Sequence, residues 1–412
     1  MARLLLLIPT TSYRTTDFMA AARQLGVDVI VGSDQRQALE EHTKGGTFLV
    51  DFKKIERGVQ QVLDYARARP FAAIISVDDG ASAVAARAAG QLGLKHNPPD
   101  AVEIARNKYR FRQALHNSGL PTPAFRLLPT AQNAAAIAQE MTYPCVLKPL
   151  TLTMSRGVIR VDNPQEFVVA FQRVKNIIEQ NDAATPGEAA DHIMVEDYIP
   201  GTEVAIEGLL DKGRLTVLAV FDKPDPLEGP FFEETIYVTP SRLPKRRQRD
   251  IADAVQRAVE AVGLREGPLH ADIRINDDAE WVIEADARSI GGQCGRSLRF
   301  GAGMRLEELL LRHALALPIA DLERERDSGG VLMIPIPSGG ILSEVRGIEQ
   351  ARAVTGVEEV NVTIPVSQKV VPLPEGGRYL GFIIARGDSP ARTERALRKA
   401  HARLEFAIKP ER

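Results

Sequence analysis

Apolar and polar positions run along this chain in two different patterns, and the change falls near residue 97. Before it, short apolar runs stand apart: RLLLLIP (3–9), VDVIVGS (27–33) and FAAIIS (72–77). Such runs predict buried strands. Between and after them, TTDFMAAARQL (15–25), a segment near 55–68 and GASAVAARAAGQLG (80–93) predict helices. Strand alternating with helix predicts a parallel α/β sheet. The loops PTTSYR (9–14) and SVDDG (76–80) then fall at the carboxyl ends of strands. Ligands bind there in such sheets, although ordinary capping explains the same residues.

After NPPD (97–100) the pattern changes. ARNKYRFRQALHNSGLPTPAF (105–125) reads as one helix stopped by Gly119 and two prolines. YPCVLKPL (143–150), VIRVD (158–162) and IMVEDYIPGTEVAIEGLL (193–210) read as strands, the last as strand, turn, strand. LTVLAVFDKP, HADIRIN and EWVIEAD continue a largely antiparallel sheet, flanked by helices near 246–262 and 304–316. From about 328 the chain is rich in glycine and valine strands and closes on the amphipathic helix SPARTERALRKAHARL. That end predicts a small α+β lobe.

With 412 residues, two or three domains are expected. The net charge of −2 and the absence of a basic patch argue against nucleic-acid or membrane-surface partners. Cys145 and Cys294 are too few for a secreted disulfide scaffold and too far apart for a metal pair, so a reducing cytoplasm is expected. LLLLIP is too short for a signal-peptide core.

The stretch EWVIEADARSIGG (280–292) carries chemistry. Glu284, Asp286 and Arg288 are two apart and share one side of an extended chain. A hairpin centred on Asp278 sets Asp272 opposite Glu284, gathering three carboxylates on one face. Clustered carboxylates repel unless a cation lies between them. An all-oxygen set suits Mg²⁺ with substrate phosphates, although exposed acidic residues on a strand are common. Upstream, Lys148 lies between apolar neighbours, where it needs an anion. Ser155 and Gly157 close a loop suited to phosphate oxygens, and Glu196 and Glu203 bracket a short turn.

In this order, over roughly residues 105–320, these residues resemble the ATP-grasp superfamily. The resemblance implies an N-terminal parallel α/β domain (1–100), a two-lobed ATP-grasp module (101–325, with a lid near 125–195) and a small C-terminal α+β lobe (326–412). It implies ATP as cosubstrate, with Lys108 and Lys148 on the phosphates and the purine side. Ser155 and Gly157 would form the phosphate loop, Glu196 and the Tyr198–Ile199 backbone would bind adenine, and Glu203 ribose. Asp272, Glu284 and Asp286 would hold Mg²⁺, with Mn²⁺ as an alternative. His270 would face the phosphates, and Arg288 would steady an acyl phosphate. Asp286 departs from the family pattern, which has asparagine there.

Within the superfamily the chain looks most like the L-amino acid ligase group. FDKPDPLEGPFFEETIYVTPSRLP (221–244) and ADARSIGGQCGRSLRFGAG (285–303) carry that likeness. It implies a carboxylate and an amine as substrates, an acyl-phosphate intermediate and, as in related ligases, a homodimer. Lys223, Glu233 and Glu234 would approach the amine or carboxylate, with Glu234 as a candidate proton acceptor. Gly291 and Gly292 would let backbone approach the substrate. Three other readings stay open: a carboxylating or phosphoribosyl-type ATP-grasp enzyme, a nucleotide-binding regulator, and a dehydrogenase. The missing GxGxxG motif argues against the last.

Overall fold

The computed structural model describes residues 3–10, 12–35, 46–180 and 187–411. Thr11 of the PTTSYR loop and residues 181–186 of the expected lid lie outside them. The N-terminal sheet has the parallel order Thr47–Leu49, Asp28–Ser33, Arg3–Leu7, Ala73–Ser76. Its first strand is apolar throughout because both faces are covered. Leu4 and Leu6 join a core with Phe18, Phe221 and Leu309, while Leu5 and Leu7 pack with Val59, Val62 and Val84. Helices Thr15–Leu25, Ile55–Ala68 and Asp79–Gln91 match the expected periodicity.

The expected single helix over 105–119 is two helices, Pro99–Arg106 and Lys108–Asn117. Asn107 breaks the run. Its backbone is extended, and its side chain accepts from the N–H groups of Tyr109 and Arg110. This cap puts Lys108 in the first turn and Arg112 one turn later on the same face.

Two antiparallel sheets follow. The smaller runs Phe125–Pro129, His192–Asp197, Cys145–Pro149, Ile159–Val161. Helix Pro164–Glu179, which the strand-centred reading passed over, covers it through Phe167, Phe171 and Val174. The larger has eight strands: Glu280–Asp286, Gly267–Ile275, Thr202–Asp211, Arg214–Asp222, Ile236–Thr239, Ser328–Ile334, Gly381–Gly387, Val357–Val362. The C-terminal lobe is thus not self-contained. Three of its strands extend the central sheet, because Ile236–Thr239 pairs with Ser328–Ile334. A further strand, Glu405–Lys409, follows the last helix and pairs with Gly340–Arg346. The residues 198–201 link the two antiparallel sheets. No described helix is long and apolar enough to cross a membrane.

Candidate active site

One cleft of about 1320 Å³ lies among the N-terminal sheet, the smaller sheet and the central sheet. Strand alternation makes its floor. Val204, Ile206, Ala271, Ile273 and Ala285 point down into an apolar core. The residues between them, Glu203, Glu207, His270, Asp272 and Arg274, take the other face. The expected pairing of Asp272 with Glu284 is present, and His270 pairs with Asp286. The register is less regular than expected, since Ile273 pairs with Val282. The bulge this creates exposes carbonyls that Arg112 binds: Val282 at 2.9 Å and Ile283 at 3.5 Å.

The cationic wall comes from the smaller sheet and the helix after Asn107. Lys148 is buried and bonds Glu196 at 2.5 Å, while Arg112 bonds the other oxygen of Glu196 at 2.9 Å. Burial opposes the charge on Glu196, but the two cations overcome it and hold the carboxyl down at about 2. Lys148 is lowered too, by burial first and then by Arg112 and Lys108. The shifts of these two partners point in opposite senses about the pair. The geometry reconciles them: one carboxylate serves two cations, so positive charge is left over. Lys108 adds to it, bonding the Leu152 carbonyl at 2.8 Å and lying 3.9 Å from Glu284. The loop that follows the strand of Lys148 carries Met154, Ser155 and Gly157, all at positive φ. A Cβ on Gly157 would meet Pro149 at 2.6 Å.

The hinge is more committed than the sequence implied. The Tyr198 N–H donates to Pro144 at 3.0 Å, and the Ile199 carbonyl accepts from Arg274 at 2.7 Å. Those two groups are not free to read a ring edge. The Tyr198 ring instead lies under Arg160, 4.2 Å away, and lines the cleft with Phe232.

On the carboxylate side, Lys223 is buried among three acidic residues: Glu203 at 2.7 Å, Glu234 at 2.6 Å and Asp272 at 2.6 Å. Oxygens of these three lie within 4.8 Å of one another. Glu203 also accepts from Arg274 at 2.9 Å, and Glu234 from Tyr237 at 2.7 Å. Lys223 therefore stands at the acidic cluster instead of at a substrate loop. The contact with Asp272 is close but poorly aligned, so Asp272 Oδ1 keeps acceptor capacity. Lys223 already fills the middle of this set. The expected metal set shares only Asp272 with it and takes Glu284 directly across the strand pair, an all-oxygen pair that suits a hard divalent cation. Glu233 turns away. The Ile336 backbone faces it, and it does not line the cleft.

Arg288 bonds Asp286 at 2.6 Å and Asp79 of the SVDDG loop at 2.6 Å. Burial pushes Asp286 up to about 8, with Asp79 and Glu284 adding to the effect and Arg288 opposing it. His270 is buried, and its Nε2 lies 3.6 Å from Asp272. Burial would lower it, but Asp272 raises it to about 9. Beside it the buried Glu207 accepts from the Ile290 N–H at 2.8 Å, and burial pushes it up to about 8. Gly292 donates to the Tyr13 hydroxyl at 2.6 Å, and a Cβ there would meet Met333 at 2.5 Å. Gly291 lines the cleft next to it. Cys294 is buried with its thiol raised well above its usual range, which disfavours a nucleophilic thiolate.

Sequence reasoning missed Arg112, Arg274, Glu207 and Tyr13. For the first two a signal existed: Arg112 is four residues after Lys108, and Arg274 two after Asp272. Glu207 and Tyr13 depend on which strands and loops meet, which no local spacing reports.

The chain matches three family models in order: an ATP-grasp N-terminal domain over residues 19–96, an ATP-grasp domain over 141–297, and L-amino acid ligase C-terminal domain 2 over 332–409. Alanine–anticapsin ligase of Bacillus subtilis is 27% identical over 272 residues, 63% of this chain and 57% of that enzyme. Carnosine synthase 1 of Gallus gallus is 27% identical over 90% of this chain, which corresponds to 41% of its own length. The chain thus spans little more than half, or less, of these two relatives. The crystal structure of an L-amino acid ligase from Bacillus licheniformis superposes with a TM-score of 0.85 at 26% identity, covering 99% of both chains. The chain is a member of the ATP-grasp superfamily, and its domain order ends in the C-terminal domain of the L-amino acid ligases.

Proposed function

We propose that the chain is an ADP-forming ligase that joins a carboxylate, an amino acid, to an amine through an acyl phosphate. The observation that carries this reading is the division of charge in the cleft. Lys108, Lys148 and Arg112 leave surplus positive charge on one wall, and Asp272 and Glu284 stand on the other. A polyphosphate satisfies the first, and a cation between phosphate and carboxylates satisfies the second. Arg288 sits where this region meets the N-terminal loops, beside Gly291 and Gly292. The similarity to alanine–anticapsin ligase and to the L-amino acid ligase supports amide formation.

In this reading Lys108, Lys148 and the Ser155–Gly157 loop grip the phosphates. Tyr198, Ile199 and Phe232 enclose the base, and Glu203 is the ribose candidate. Glu196 acts through Lys148 and Arg112. Asp272 and Glu284, with Asp286 behind them, would hold Mg²⁺ or Mn²⁺, which neutralises phosphate charge when bound. A carboxylate oxygen attacks the γ-phosphorus, a C–O–P link forms, and ADP leaves. The amine nitrogen then attacks the acyl carbon, the C–N bond forms and phosphate departs. Arg288 and His270 lie where oxyanion charge develops, and positioning them is the protein's main contribution. Glu234, raised by burial first and held by Lys223, is the candidate acceptor for the amine proton.

The test is ADP release across paired panels of amino acids and amines, with the products weighed by mass spectrometry. ADP formation that requires both partners supports the reading. ADP formation that requires bicarbonate in place of the amino acid would replace it with a carboxylating enzyme.

A further inference from the structure

Building on the ligase reading, we propose that Asp79 is a positioning residue: it reaches across from the N-terminal domain and fixes the plane of the Arg288 guanidinium, so that Arg288 meets the reacting carboxylate in one orientation. The two residues are 209 positions apart, so no local spacing joins them. Arg288 has five N–H donors in a rigid fork. Its Nε donates to Asp79 Oδ2 at 2.6 Å, its Nη2 to Asp286 Oδ2 at 2.6 Å and its Nη1 to the Ser289 carbonyl at 3.1 Å. Three donors are thus committed to protein. One N–H on each terminal nitrogen is left, on a side chain that lines the cleft.

The backbone beyond Arg288 is pinned without help from Asp79. Arg14 donates to the Val77 carbonyl at 3.0 Å, to the Ser289 carbonyl at 3.2 Å and to the Ser289 hydroxyl. Glu207 accepts from the Ile290 N–H at 2.8 Å, and the Gly292 N–H donates to Tyr13 at 2.6 Å. These contacts leave open the direction of the long Arg288 side chain, whose rotamer freedom is worth about 2 kcal/mol. Asp79 and Asp286 remove that freedom. Asp286 is a candidate ligand for a cation and Asp79 is not, so the hold of Asp79 on Arg288 does not compete with one. Asp79 also has a firm base. It opens the helix Asp79–Gln91, where the helix dipole favours a carboxylate. Its carbonyl accepts from the Ser82 hydroxyl at 2.8 Å, and Ala81, Val84 and Ala88 of the same helix are buried. Burial opposes the charge on Asp79, and Arg288 overcomes it and keeps the carboxyl below its ordinary value. A guanidinium ordered before the substrate arrives needs no reorganisation as oxyanion charge develops. The contact ties that order to the docking of the N-terminal domain.

The experiment measures kcat and KM for wild type, Asp79→Ala, Asp79→Ser and Asp79→Asn, each with Arg288 present and in the Arg288→Ala background. Asp79→Ala should lower kcat about 10- to 100-fold, the loss expected from a misdirected group, with the KM for ATP unchanged. Serine keeps a polar group at the start of the helix but is too short to reach Nε, so the same loss is expected. Asparagine keeps an oxygen for Nε and should recover part of the rate. In the Arg288→Ala background, replacing Asp79 should cost nothing more, because the two side chains act as one unit. Phenylglyoxal labelling of the protein, mapped by peptide mass spectrometry, reads the same contact without turnover. Arg288 should react faster in Asp79→Ala and Asp79→Ser than in wild type. No turnover in wild type with any substrate pair would sink the ligase reading, while the labelling still decides on Asp79. Wild-type rates in Asp79→Ala and Asp79→Ser, a further loss in the Arg288→Ala background, a raised KM for ATP or unchanged labelling would overturn the assignment.

Discussion

Glu196 holds two cations at once, and much of the site's behaviour follows from that. With Lys148 at 2.5 Å and Arg112 at 2.9 Å, it keeps both guanidinium and ammonium inside the protein. Its carboxyl is ordinary when unfolded, near 4.5, and about 2 when folded. A depressed folded value stabilises above the unfolded value and is lost as pH falls through the folded one. This pair should therefore contribute up to about 3 kcal/mol that disappears between pH 4.5 and pH 2. Chemical unfolding of wild type and Glu196→Gln across that window checks it. The variant should be less stable by about 3–5 kcal/mol at neutral pH and lack that acid slope. Equal slopes would show that the pair carries little of the acid sensitivity. Asp286 gives a second test. It accepts from Arg288, a bond that an asparagine oxygen can also make. Glu284 faces Lys108 and lines the cleft directly. Asp286→Asn should keep much of the activity and Glu284→Gln lose most of it. Turnover in the reverse order would exchange their roles.

At the scale of elements, the loop of Ser155 and Gly157 is not held by its own sheet alone. The bidentate pair of Arg173 and Glu375 ties helix Pro164–Glu179 to the C-terminal loop, and Gly157 and Arg156 bond the same loop. Both partners are about two-fifths exposed, so the pair adds only a few tenths of a kcal/mol to stability. Its expected effect is on closure, which keeps water from an acyl phosphate. Arg173→Ala should raise ADP formed per amide formed by about three-fold or more at nearly unchanged stability, because closure is weakened. A product ratio equal to wild type would remove this role. The sequence displayed most of the elements themselves. Both-faced burial makes RLLLLIP a plain strand, and alternation makes HADIRI and WVIEAD a hairpin. It did not display the break at Asn107, where a side-chain cap overrides helical periodicity. Nor did it show Pro164–Glu179, whose apolar stripe was passed over between stronger strand signals.

At the scale of the molecule, three regions far apart in sequence converge on one cleft. Asp79, Arg288 and Tyr13 with Gly292 join the N-terminal sheet to the central one, and the C-terminal strands continue that same sheet. Lys148 could be selected from the chain because its apolar neighbours made a charge conspicuous, and Glu203, Asp272 and Glu284 because of their spacing about a turn and along a hairpin. Their partners could not. Lys223 at the centre of three carboxylates, Glu233 turned toward Ile336 and Asp79 beside Arg288 all depend on how distant loops pack. The central claim is that the carboxylate is activated as an acyl phosphate. With an ¹⁸O-labelled carboxylate substrate, one labelled oxygen should appear in the released phosphate, alongside ADP and one amide per turnover. Label in AMP, or phosphate without label, would contradict it.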